Sequence, residues 1–233
     1  MSISDERIEY AVRNTEILRL PRQSLATFGS TSIYYYLLTE PVYSELMPGT
    51  SETVIREGRV IAEKPKIVTP YYLTHVEGFS PDARRYFERL LEMHGPNAPG
   101  LFYTYKNEPK ELNIVSDSLP AVVAKLNTEI DRRGDTLASI IKGEDALWDV
   151  SLIRFIYELT RSSLQDNLTQ LGTRGLLDID DAGIPADARA RIDDLFRGVA
   201  RGEVKADRLK AELNRWGLFA EYEDRFLNLF KKG

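Results

Sequence analysis

Apolar residues recur along this chain at two different spacings, and the change from one to the other falls near residue 117. Before it, the spacing is that of strands. Ile8, Tyr10 and Val12 alternate with polar neighbours, which predicts a strand within residues 7–21. Ile33, Tyr34, Tyr35, Tyr36, Leu37 and Leu38 form a continuous run of strand length, as expected of a central strand covered on both faces. The segments 53–55 and 60–62 flank Gly58 and predict a hairpin turned at the glycine. A short strand is expected over 66–69, ended by Pro70. Residues 101–106 and 111–115 flank Asn107, Glu108, Pro109 and Lys110, which predicts a second hairpin. One helix interrupts this series: Ser80 can cap it, Pro81 suits its first turn, and Ala83, Tyr86, Phe87, Leu90 and Leu91 recur at helical spacing before Gly95.

Beyond Ser118 the period is helical. Leu119, Val122, Val123, Leu126 and Ile130 mark one face of a helix closed by Gly134. A short helix is expected over 136–141, then an almost wholly apolar one over 146–159. Leu164, Leu168 and Leu171 continue at that spacing after a break near 160–163. Pro185 opens a helix that Gly202 closes, and Gly217 separates two last helices. The pattern predicts an α+β fold: a mixed or mainly antiparallel N-terminal sheet with one covering helix, then a C-terminal bundle of five or six helices. The expected division is 1–117 and 118–233, unless the two form one continuous folding unit.

With 233 residues, 42% hydrophobic and 29% charged, the composition is that of a globular protein. The absence of cysteine excludes disulfides, thiolate zinc sites and a cysteine nucleophile, and the cytoplasm is the expected compartment. The first thirteen residues are rich in charge and no apolar run reaches membrane-spanning length, so neither a signal peptide nor insertion is expected. A net charge of −5 argues against a protein that grips nucleic acid through its overall field.

No phosphate-cradling Walker loop, GxGxxG, GxSxG or HExxH is present. The two histidines, His75 and His94, are too few for a histidine-rich metal site, and His94 reads as a packing residue near a helix C-terminus. The hydroxyl-rich loop at 27–32, with Arg19 and Arg22 before it, could hold a phosphate on backbone N–H groups and guanidinium. Its candidate ligand-binding residues are Arg19, Arg22, Gly29, Ser30 and Thr31. Glu108, Pro109 and Lys110 match the acid-x-lysine element of metal-dependent nucleases. That element needs a regular strand and an earlier acidic partner, whereas Pro109 favours a turn. Asp178, Asp180, Asp181 and Gly183 begin like a calcium loop, which then fails at Ala182 and Arg189.

Residues 152–183 carry an apolar helix, a break, a leucine-bearing helix and a Gly/Asp-rich tip, an order that resembles a winged helix-turn-helix. The resemblance implies DNA contact through Arg161, Gln165, Asn167, Thr169 and Arg174, although Asp166 and the acids at 178, 180 and 181 depart from it. Tyrosines cluster at 34–36, 71–72 and 103–105, on a sheet surface or along a groove. The favoured expectation is a non-enzymatic binding or adaptor protein, its partner another protein or a second copy of itself. A DNA-binding regulator and an enzyme acting on a phosphorylated small molecule are the alternatives. No cofactor, metal or membrane partner is expected.

Overall fold

The apolar run at 33–38 lies in β2 (Thr31–Thr39), third of five strands in a mixed sheet. The others are β1 (Glu16–Arg19), β3 (Thr53–Ala62), β6 (Tyr105–Val115) and β7 (Ala138–Lys142), in the order β1-β7-β2-β3-β6. Only β2 and β7 pair in parallel; the remaining pairs are antiparallel. A parallel pair needs a crossover, and α2 (Leu119–Arg133) lies in the chain between β6 and β7. The structure is a computed structural model and describes residues 3–41, 43, 51–69, 71–72, 92–93, 95–96 and 100–231.

Side chains of β2 divide between two helices because successive residues point to opposite faces. Ile33, Tyr35 and Leu37 share a core with Leu152, Phe155 and Leu159 of α3 (Trp148–Thr173). Leu38, with Tyr36, packs with Val122 and Ile130 of α2. Covering both faces explains why the run has no polar alternation. Each buried Ile, Leu or Phe contributes roughly 1.5–3 kcal/mol. The helix α2 ends at Gly134, whose φ of 65° is a left-handed conformation open to glycine.

The chain divides into two compact units: Met1–Lys64 with Tyr103–Asn167, and Pro65–Phe102 with Leu168–Gly233. In this division α2, β7 and most of α3 belong with the five-stranded sheet, where the apolar spacing alone suggests a boundary near residue 117. In the second unit, β4 (Lys66–Val68) pairs with β5 (Gly100–Phe102). Val68 and Tyr72 pack there with Ile184 and residues of three helices, α4 (Ala186–Ala200), α5 (Ala206–Arg215) and α6 (Phe219–Asn228). Among the described residues, no helix is long and apolar enough to cross a membrane.

Several local expectations are overturned. Residues 3–14 form a helix, α1 (Ile3–Asn14), in which Ala11 is buried while Ile8 and Tyr10 are exposed. The alternation of Ile8, Tyr10 and Val12 was therefore no record of burial. Residues 53–62 are one strand, not a hairpin. Gly58 faces Tyr35 across the sheet, where an added Cβ would run into the tyrosine hydroxyl and lie 2.9 Å from the Glu108 carbonyl oxygen. The glycine thus serves a close approach rather than a turn. Residues 105–115 are also one strand, since an edge position tolerates Pro109. The apolar run at 138–142 is a strand rather than a helix, because a short run of that kind carries no period. No break divides α3 near 160–163. The helix expected over 80–95 falls largely outside the described residues, as do His75 and His94.

Candidate functional site

Residues directly opposite each other on antiparallel strands project to the same face, with Cβ atoms about 4.5–5.5 Å apart. The β3–β6 register sets Glu57 opposite Glu111. Immediately beyond, Gly58 faces Pro109, so Lys110 is the extra residue of a β-bulge. Two carboxylates in this relation repel, and neither belongs to an ion pair among the described residues. Half-burial, and then the charge of Glu111, push the Glu57 carboxyl above its ordinary range; Arg133 and Lys110 pull it back.

The surroundings form a cleft of about 360 Å³, lined in part by Tyr34, Tyr36, Glu57, Lys110, Arg133 and Asp135. The Lys110 ammonium lies 4.9 Å from the centre of the Tyr34 ring. Arg133 stands in the last turn of α2, where its Nε donates to Glu129 at 2.7 Å and its charge interacts with Tyr36. The cleft lining therefore combines the Glu57 and Asp135 carboxylates, two cations and tyrosine rings, with Glu111 opposite Glu57 on the neighbouring strand. A carboxyl perturbed by desolvation and by a like charge, inside a cleft, is a mark of functional sites. Among the described residues no group of three or more His, Cys, Asp or Glu side chains is gathered. Mg²⁺ nevertheless commonly takes one or two carboxylates, completing its shell with water and substrate phosphate.

The acid-x-lysine element lies on a strand bulged at Lys110, and its own acid, Glu108, is opposite Arg59 rather than another carboxylate. Glu108 is engaged by Lys106 at 2.7 Å and Arg59 at 2.6 Å, which hold its carboxyl below the usual range. Glu111, three residues on, is the carboxylate that meets Glu57. The sequence held both glutamates, but the register that opposes them is a long-range property with 53 residues between them.

The loop candidates have other partners. Arg19 donates to Asn127 at 2.8 Å and to Asp131 at 2.7 Å, and Arg22 meets the same Asp131 oxygen at 2.9 Å. Thr31 is buried in β2, its hydroxyl accepting the Ala26 N–H at 2.8 Å. Gly29 has open space around it and Ser30 is exposed. The arginines are thus bound to α2, and no hydrogen bond among the described residues links them to the loop.

Of the residues assigned to a recognition helix, Asn167 is fully buried. Its amide donates to the Leu25 carbonyl and the Thr27 hydroxyl, both at 2.8 Å, and its oxygen accepts the Tyr103 hydroxyl at 2.7 Å. It ties residues 25–27 and Tyr103 to α3. Arg161 lies 3.6 Å from Glu158 on an exposed face, and Gln165, Thr169 and Arg174 are exposed but each engaged with another residue. One uninterrupted helix replaces the two that the motif requires. In the acidic loop after α3, Asp180 accepts the Ala182 and Ile184 N–H groups at 3.0 and 2.8 Å. It also pairs with Arg189 at 2.8 Å, so a fixed guanidinium supplies the positive charge there. No family model, curated protein or solved structure matches the chain.

Proposed function

We propose that the protein is a divalent-metal-dependent phosphoesterase whose site is the sheet cleft. The observation that carries this reading is the cross-strand apposition of Glu57 and Glu111 beside Lys110. In this reading Glu57 and Glu111 would hold a divalent cation such as Mg²⁺, offsetting their mutual repulsion. When bound, the cation would supply Lewis-acid activation of a water and of the phosphoryl oxygens. Lys110 and Arg133 take up the negative charge that grows on the phosphoryl group. Water oxygen bonds to phosphorus, the P–O bond to the leaving alcohol breaks, and solvent accepts the water proton and supplies one to the leaving oxygen. Tyr34 and Tyr36 provide aromatic walls for the organic part of the substrate.

The test is hydrolysis of bis-p-nitrophenyl phosphate and p-nitrophenyl phosphate with Mg²⁺ or Mn²⁺, together with Mn²⁺ binding. Glu57→Gln should abolish metal binding, and Lys110→Ala should lower kcat by about 10²-fold. No hydrolysis and no Mn²⁺ binding by the intact chain would remove the reading.

A second reading is macromolecular binding along β6, favoured by an 11-residue edge strand that exposes Leu112 at 58% and Ile114 at 54%. The partner is another protein or a second copy of this chain. Purified protein that remains monomeric at high concentration and recovers no more partner than Leu112→Lys does would speak against it.

A further inference from the structure

The second unit contains a different charged cleft, of about 480 Å³, between β4, α4 and α5. Its inner wall is a closed ionic network. Asp187, fully buried, is paired with Arg191 and accepts the Ile67 N–H at 3.3 Å. Arg191 also donates to the Ile67 carbonyl oxygen at 3.3 Å and lies 3.5 Å from Glu212. Glu212 accepts the Tyr72 hydroxyl at 3.1 Å and the Trp216 indole N–H at 3.3 Å, and it pairs with Arg215 at 3.5 Å. Two carboxylates and two guanidinium groups therefore neutralise each other, and their hydrogen bonds fix the guanidinium positions.

Lys66 and Arg208 line the same cleft, yet among the described residues neither has an ion-pair partner. The remaining acid of the lining, Asp194, is paired with Arg197. The cleft thus carries an excess of two positive charges over a neutral, pre-organised wall. Leu195, Val204 and Ala211 add apolar surface. Such a lining favours an anion with an apolar stem: charge-assisted hydrogen bonds hold the head, while the stem leaves water.

We propose that this cleft binds a small organic dianion, its head a phosphate or a pair of carboxylates, through Lys66 and Arg208. The inference is independent of the phosphoesterase reading, which concerns the other unit. It is tested by calorimetric titration of the full-length Glu57→Gln variant in EDTA, where the metal site is silent. Three probes separate the sources of the charge: phenyl phosphate, phthalate and inorganic phosphate.

Phenyl phosphate binding about tenfold tighter than inorganic phosphate supports a phosphate head on an apolar stem, and tighter phthalate binding supports paired carboxylates. In either case Lys66→Ala and Arg208→Ala should each weaken the preferred probe by about tenfold, whereas Arg208→Lys retains most of the affinity. Both side chains lie outside the buried network, and an unchanged melting temperature establishes that each variant is folded. Absence of binding by all three probes at about 10 mM, or a Lys66→Ala/Arg208→Ala double variant that binds within twofold of the parent, overturns the proposal.

Discussion

Two ionic clusters in this protein use the same residue types to opposite effect. In the second unit, Asp187 and Glu212 are buried, and each is matched by arginine and by further hydrogen bonds. In the sheet cleft, Glu57 and Glu111 face one another across two strands, and the nearby cations sit on a tyrosine ring and on Glu129. The first arrangement satisfies every charge within the fold. The second retains a repulsion that Arg133 and Lys110 offset only in part.

The comparison is broken most strongly by removing a partner from the satisfied cluster. Asp187→Ala removes the nearest partner of Arg191, leaving it Glu212 and the Ile67 carbonyl, and strands the Ile67 N–H in a buried place. It should destabilise by about 3–5 kcal/mol, lowering the melting temperature by roughly 10 °C in a calorimetric scan. A loss near zero would mean that the network is dispensable. Next in size is Gly58→Ala, which forces Tyr35 or the β6 backbone to move. A destabilisation of about 1–3 kcal/mol is expected by urea unfolding. Full stability in that variant would show that the sheet can yield there.

The smallest effect on stability is the most informative. The Glu57 carboxyl is raised, so the folded state binds its proton more tightly than the unfolded chain does. Its contribution to stability is complete below the ordinary glutamate pKa and is lost as pH rises through the folded value. Glu57→Gln removes that loss. The variant should gain stability relative to the parent as pH rises above the ordinary glutamate pKa, by no more than about 0.5 kcal/mol after solvent screening, while losing metal binding. A clear loss of stability at neutral pH would place Glu57 with Asp187 as a structural residue and erase the contrast between the clusters.

Pattern in the sequence revealed the elements whose burial it records. The central strand at 33–38, the amphipathic α2 and the Pro185-led α4 are legible because tight cores impose their period on apolar residues. The α+β class follows from the same record. Less legible were elements with little to bury. The exposed α1 alternates by chance, and β6, exposed along most of its length, carries Pro109 at an edge. The Glu108-Pro109-Lys110 triplet lies on the strand that carries Glu111, but nothing local to it points to Glu57.

What the sequence determined by itself, then, was the class of fold, the main helices and the central strand, since hydrophobic spacing is a local property set by the geometry of each element. Tertiary structure alone decided the strand order, the bulge beside Gly58, the apposition of Glu57 with Glu111 and the gathering of Lys66 with Arg208. Each of these joins residues distant along the chain through backbone register or packing, and no local period encodes that choice.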